Sequence, residues 1–157
     1  MKRSAKIRLG MVTAIAGAVT SFVAPASAVS PGWFSLAGTG TISPCITMSP
    51  SSQTLTFAGN GVIYSARATG QISCSMGGSA YGSTTQGSGN LYGTCNTPCG
   101  TSGISMTFTW TASGTTAQGS FTSGCLDGTR FHSQCGWVFS SLPTATSYTW
   151  GCGFEFD

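Results

Sequence analysis

Ile104 to Ala112 reads ISMTFTWTA, and its alternation limits the fold more than any other stretch. Ile104, Met106, Phe108 and Trp110 share one parity, with Ser105, Thr107, Thr109 and Thr111 on the other. Successive side chains of a strand point to opposite faces, so this pattern predicts a strand with one face in a core and one hydroxyl-rich face in water. The last stretch repeats it. Tyr148, Trp150, Cys152, Phe154 and Phe156 alternate with Thr149, Gly151, Gly153 and Glu155. Beyond residue 28 no sustained i, i+3, i+4 apolar pattern competes with the period of two.

Turn chemistry places the remaining strands. Asn60-Gly61 is the strongest short hairpin signal, because a type I′ turn needs φ > 0 at both central positions. Folding about it pairs Phe57 with Tyr64 and Leu55 with Ala66 on one core face. The same parity runs on through Ile72, Cys74 and Met76, too far for one strand, so Gly70 is expected to mark a bend or bulge. A turn at Ser113–Thr116 leads to a strand over 118–121, and 136–140 supplies another. Gly77 to Asn90 is rich in Gly, Ser and Thr and reads as a flexible loop, with a weak edge strand around 80–84 as the other choice. Strands at intervals of about 8–12 residues predict an all-β, Greek-key (immunoglobulin-like) antiparallel sandwich of about 7–9 strands.

The first 28 residues are set apart. Lys2, Arg3, Lys6 and Arg8 precede an uncharged, mostly apolar run from Leu9 to Val23, followed by Pro25 and Ala26-Ser27-Ala28. This is the form of a secretory signal peptide, and the apolar run is short of the roughly 20 residues a membrane span needs. Residues 1–28 are therefore expected to be removed, leaving 29–157 as a single domain with no membrane span, secreted or held at the cell surface. That domain keeps Arg67 and Arg130 against Asp127, Glu155 and Asp157, a net charge of −1 with His132 neutral. It has no basic surface to follow a phosphate backbone, which excludes nucleic acid as the expected partner.

All seven cysteines lie after residue 28: Cys45, Cys74, Cys95, Cys99, Cys125, Cys135 and Cys152. Export would place them where disulfides persist. Cys95 and Cys99 in TCNTPCG have zinc-like spacing, but the chain holds a single His and no second close cysteine pair, so no metal is expected. Three intervening residues do not make a thioredoxin-type C-x-x-C. The remaining reading is a staple at an Asn-Thr-Pro turn. Choosing one odd cysteine and pairing six leaves about a hundred maps. Core-face parity on either side of the Gly/Ser-rich segment favours Cys74–Cys95. Cys125 and Cys135 flank an Asp-Gly turn and are expected to bridge it, with Cys152 able to replace either partner. Cys45 and Cys99, each beside a proline, are expected to pair, which leaves Cys152 over as a buried thiol.

Groups for acid–base chemistry are scarce. His132 could be a base oriented by Asp127 or Asp157, and a carboxylate pair would have to come from Asp127, Glu155 and Asp157. No G-x-S-x-G and no phosphate-binding Gly-rich loop occurs. A non-enzyme without cofactor is the expectation. Asp127, Arg130, Phe131 and His132 cluster within CLDGTRFHSQC, either as a polar hairpin tip with Asp127 and Arg130 paired or as a recognition loop. Of the aromatics Tyr64, Tyr81, Tyr92, Trp33 and Trp137, Trp33 and Tyr81 fall in expected loops and are the candidates for stacking on a sugar.

GTGTISPCITMSPSSQTLTF, residues 38 to 57, resembles small exported proteins of high-GC Gram-positive bacteria. Those share a G-T-G-x-I-S-P stretch, a Ser/Thr/Gln strand and then Gly/Ser-rich strands with cysteines near the positions of Cys74 and Cys95. The resemblance covers about two thirds of residues 29–157 and implies secretion but no site. Asp127-Gly128-Thr129-Arg130-Phe131, with Cys135 behind, resembles a stretch of the enediyne-antibiotic apoproteins, which implies an immunoglobulin-like sandwich with an apolar cargo. Together these observations lead to a disulfide-stapled extracellular surface or binding module. The alternative is a carrier for a small apolar ligand in an inter-sheet cleft, and a hydrolase using His132 comes third. A cell-surface glycan and a small apolar molecule are the candidate partners.

Overall fold

The computed structural model describes residues 32–44, 52–83, 85–136 and 146–157. The expected signal peptide, Cys45 and Trp137 lie outside them. Eight strands follow in order: β1 (Gly32–Pro44), β2 (Ser52–Ser65), β3 (Thr69–Gly82), β4 (Gly87–Thr97), β5 (Gly100–Thr111), β6 (Gly114–Phe121), β7 (Arg130–Gly136) and β8 (Thr146–Phe156). A 3₁₀ turn, Gly124–Leu126, sits between β6 and β7. Each strand pairs antiparallel with its neighbour in the chain, and β8 returns to pair with β1. The fold is therefore a closed up-and-down barrel, not the Greek-key sandwich expected from the strand spacing. A sandwich and a barrel demand the same in/out alternation. They differ in whether the first and last strands meet, and no local signal encodes that meeting.

The registers define the barrel's shape. A walk along Cα partners from Ser43 passes Thr54, Ser79, Asn90, Thr107, Gln118, His132 and Glu155 and arrives at Trp33, ten residues from where it left β1. A stagger of this kind accompanies strand tilts of about 35–45° to the barrel axis.

The inner face is apolar and filled. At one end Phe34 lies among Phe154 (4.4 Å, stacked), Phe131 (5.0 Å), Phe156 (5.4 Å) and Phe121 (5.6 Å). Leu126 of the 3₁₀ turn joins this core, fully buried. Towards the other end Phe57 meets Trp150 edge to face at 4.4 Å, and the Trp110 indole N–H donates to the Ser83 carbonyl at 2.8 Å. The expected alternation of β5 holds, with Ile104, Met106, Phe108 and Trp110 all buried. Outward positions are mostly Ser, Thr, Asn, Gln and Gly, which is the reverse of the apolar outer band of a membrane barrel.

Asn60-Gly61 is not a turn. β2 runs straight through it, with Gly61 opposite Leu36 on β1 and Ile72 on β3. A Cβ at Gly61 would stand 1.6 Å from the Ser35 carbonyl oxygen, so glycine serves close approach of two strands here. The chain reverses instead at 66–68, where Ser65 N–H bonds the Ala68 carbonyl at 2.8 Å. Tyr64 consequently faces out, not into the core. The Gly/Ser-rich stretch is also mostly strand: β3 continues to Gly82 and β4 begins at Gly87. Main-chain pairing on both sides holds it without large side chains.

Three disulfides are present. Cys74–Cys95 joins facing partners on β3 and β4, Cα–Cα 4.1 Å, as expected. The other two differ from expectation. Cys99 bonds Cys125 (Cα–Cα 6.1 Å) and Cys135 bonds Cys152 (Cα–Cα 4.9 Å). Cys125 cannot reach Cys135, because it sits in the 3₁₀ turn while Cys135 is five positions along β7, about 17 Å of strand. Cys135 and Cys152 are facing partners on β7 and β8, so Cys152 is not left over, and the Cys45–Cys99 pairing is ruled out by Cys99's actual partner. TCNTPCG is a staple whose two cysteines leave in different directions, one into the barrel and one to the 3₁₀ turn over its end.

Candidate functional site

The sequence cluster around Asp127 is split by the fold. Asp127 and Gly128 form the turn after the 3₁₀ segment, while Arg130, Phe131 and His132 are on β7. Phe131 points inward and is 1 % exposed, because it shares parity with the core face, so it cannot serve recognition. Asp127 uses its backbone carbonyl to accept from Arg67 Nη1 at 3.1 Å, which ties the β2–β3 turn to the barrel cap. The enediyne-apoprotein-like stretch therefore crosses from a cap turn into a barrel strand, and the sandwich it implied is not the fold.

His132 points outward on β7 and its Nδ1 lies 2.5 Å from Asp157 Oδ1. A carboxylate can only accept, so Nδ1 carries the proton and Nε2 is left to face out. Glu155, the partner of His132 on β8, places Oε2 3.9 Å from Nε2. Of the two orienting residues considered for His132, the fold supplies Asp157 and leaves Asp127 in the cap.

These groups belong to a larger surface feature. Trp33, Glu155, His132, Gln118 and Thr107 are consecutive on the registered walk, on β1, β8, β7, β6 and β5. They line a groove of about 850 Å³ on the outer wall, together with Thr109, Thr116 and Gly153. Four strand steps of about 4.8 Å make it roughly 19 Å measured along the curved wall of the barrel. Two local features make room on a wall that would otherwise bulge. Gly153 carries no side chain, and an added Cβ there would have nothing within 4 Å. The β7–β8 ladder also skips Ser133 and Gln134, and the Ser133 hydroxyl donates instead to the Gly153 carbonyl.

Trp33 walls one side. It is 46 % exposed and pairs across β1–β2 with Tyr64, which is 57 % exposed. Trp33 and Tyr81 are thus both exposed, as expected of stacking candidates, but on strands and not in loops, and only Trp33 lines this groove. The far side is a hydroxyl face. Thr109 and Thr116 hydroxyls bond each other at 2.8 Å, and Thr107 donates to Asn90 Oδ1 at 2.9 Å. Among the described residues the lining holds one carboxylate, one imidazole and one primary amide, and no Lys or Arg.

Sequence reasoning missed Gln118, Thr107 and Gly153 as site residues, and weighed Glu155 only as a member of a carboxylate pair with Asp127 or Asp157. Their outward parity was readable, but which outward residues share a row depends on registers set by distant strands. The carrier alternative needed a cleft between two sheets, and a closed barrel has none. No family model, curated protein or solved structure matches the chain.

Proposed function

We propose that the protein is an exported, non-enzymatic binding module whose recognition surface is the outer-wall groove between Trp33 and the β5–β6 threonines. The observation that carries this reading is the combination around Gly153: a strand position stripped of its side chain, with open space above it, in a groove shared with an exposed tryptophan and a row of unlike polar groups. Glycine weakens a strand, and inside a strand it often marks where a ligand approaches the backbone. Three disulfides support export, since such bonds persist in oxidising compartments. A rigid scaffold stapled at both ends of the barrel suits a surface that holds its side chains ready for a partner.

The test is Gly153→Trp, which puts an indole into the groove from a position whose Cβ would meet nothing within 4 Å. Its effect on stability should stay within the roughly 0.5 kcal/mol usual for surface substitutions. A thermal-shift screen with a chemically mixed library (sugars, nucleosides, amino acids, short peptides, fatty acids) should find one class that raises the melting temperature of the wild type and not of the variant. A ligand at a hundred times its Kd adds about 2.7 kcal/mol to stability, well within detection. Equal shifts in both proteins, or no shift with any class, would contradict the groove as the recognition surface.

A further inference from the structure

We infer that the groove takes a neutral oligosaccharide, an inference that rests on the groove being the recognition surface. Three features of the lining select this chemistry. Trp33 offers an exposed aromatic face, against which the C–H face of a pyranose ring can lie with no hydrogen-bond demand. Next to it stand two acceptors, the Glu155 carboxylate and the outward Nε2 of His132, and one group that both donates and accepts, the Gln118 amide. A carboxylate with two oxygens, or an amide with one donor and one acceptor end, matches the paired hydroxyls of a sugar. The extent of roughly 19 Å along the curved wall exceeds a single ring and suits a short chain of them.

The same lining argues against other ligands. An anionic ligand, whether phosphate, sulfated sugar or uronate, would meet Glu155 with no lysine or arginine among the described groove residues to offset it. A purely apolar ligand would bury the Glu155 carboxylate, the Gln118 amide and the Nε2 of His132 without hydrogen-bond partners for those atoms, a cost of about 1–3 kcal/mol per group. A neutral, hydroxyl-rich ligand leaves none of these groups unpaired. Gly153 lets a ring approach the sheet closely enough to touch Trp33 and Glu155 together, because these two are facing partners on β1 and β8.

The experiment is a direct binding comparison on immobilised polymers. The probes are neutral polysaccharides (a β-glucan, a mannan and chitin) and two acidic ones (polygalacturonate and heparin). The wild type is expected to be retained by at least one neutral polymer, and sodium chloride should not release it. Trp33→Ala should weaken retention roughly two- to tenfold, the range of one aromatic contact. Gly153→Trp should abolish retention while circular dichroism and melting temperature stay those of the wild type. Retention only on acidic polymers, or loss of binding in salt, would overturn the inference. Retention that Gly153→Trp leaves intact would place any sugar site elsewhere and also overturn it. Failure on every neutral polymer, combined with a groove-dependent thermal shift from another ligand class, would sink the sugar while leaving the groove as a binding surface. Failure on both counts would sink the two together.

Discussion

Phe34→Ala is expected to lower the unfolding free energy by about 3–5 kcal/mol. Phe34 has no exposed surface and its ring meets those of Phe121, Phe131, Phe154 and Phe156. These rings come from β6, β7 and β8, so Phe34 links the first strand to the last three. The four neighbours are held by a closed wall and by the 3₁₀ turn over the end, which leaves little freedom to collapse into the space. Proteins of this size have only about 5–15 kcal/mol to lose. Urea denaturation with all three disulfides intact measures the change. A loss under about 1 kcal/mol would mean that Phe34 does not sit at a packed centre.

Gly61→Val is expected to destabilise at or above the upper end of the overpacking range, about 3 kcal/mol, because the added Cβ would meet the Ser35 backbone carbonyl at 1.6 Å and not a side chain able to move. The neighbouring Asn60→Val should be neutral or slightly stabilising, since Asn60 faces out in mid-strand and β-branched residues suit such positions. The pair of variants separates two structures. In a type I′ hairpin both central residues need φ > 0, and valine would be harmful at either. Equal damage from the two substitutions would restore the turn and break β2 in the middle.

The two variants mark the boundary of what the sequence can convey. Alternation is a local property, so the inward set of β5 (Ile104, Met106, Phe108, Trp110) and of β8 (Trp150, Cys152, Phe154, Phe156) was legible residue by residue. Cys74–Cys95 was legible for the same reason: two core-face cysteines on consecutive strands have one short connection between them. Asn60-Gly61 misled because the dipeptide states a preference of the isolated backbone, while the approach of β1 gave its glycine another use. Cys135–Cys152 was open only as an alternative, since the strand that brings Cys152 opposite Cys135 follows a connection whose length says nothing about register. Cys152→Ser therefore removes a bridge closing a separation of 17 residues and should cost about 3 kcal/mol, comparable to Cys74→Ser at a separation of 21.

The site follows the same logic. His132 and Trp33 could be singled out as a rare titratable group and an aromatic in an expected loop, but nothing in the sequence sets them side by side. They belong to one groove only because β8 pairs with both β1 and β7, which puts Glu155 between them. Gly153 gives no sequence signal of its own among so many glycines. Its meaning appears when the space above it is found empty.

Closure of the barrel is thus the claim on which both fold and groove depend, and nuclear magnetic resonance tests it most directly. In an isotope-labelled sample, cross-strand backbone contacts are predicted along the whole β1–β8 ladder, including Trp33 with Glu155, Phe34 with Phe154 and Gly38 with Trp150. Amides of both strands should exchange as slowly as those of β3 and β4. Absence of those contacts, with β1 or β8 exchanging like an unpaired edge, would open the barrel and separate Trp33 from Glu155.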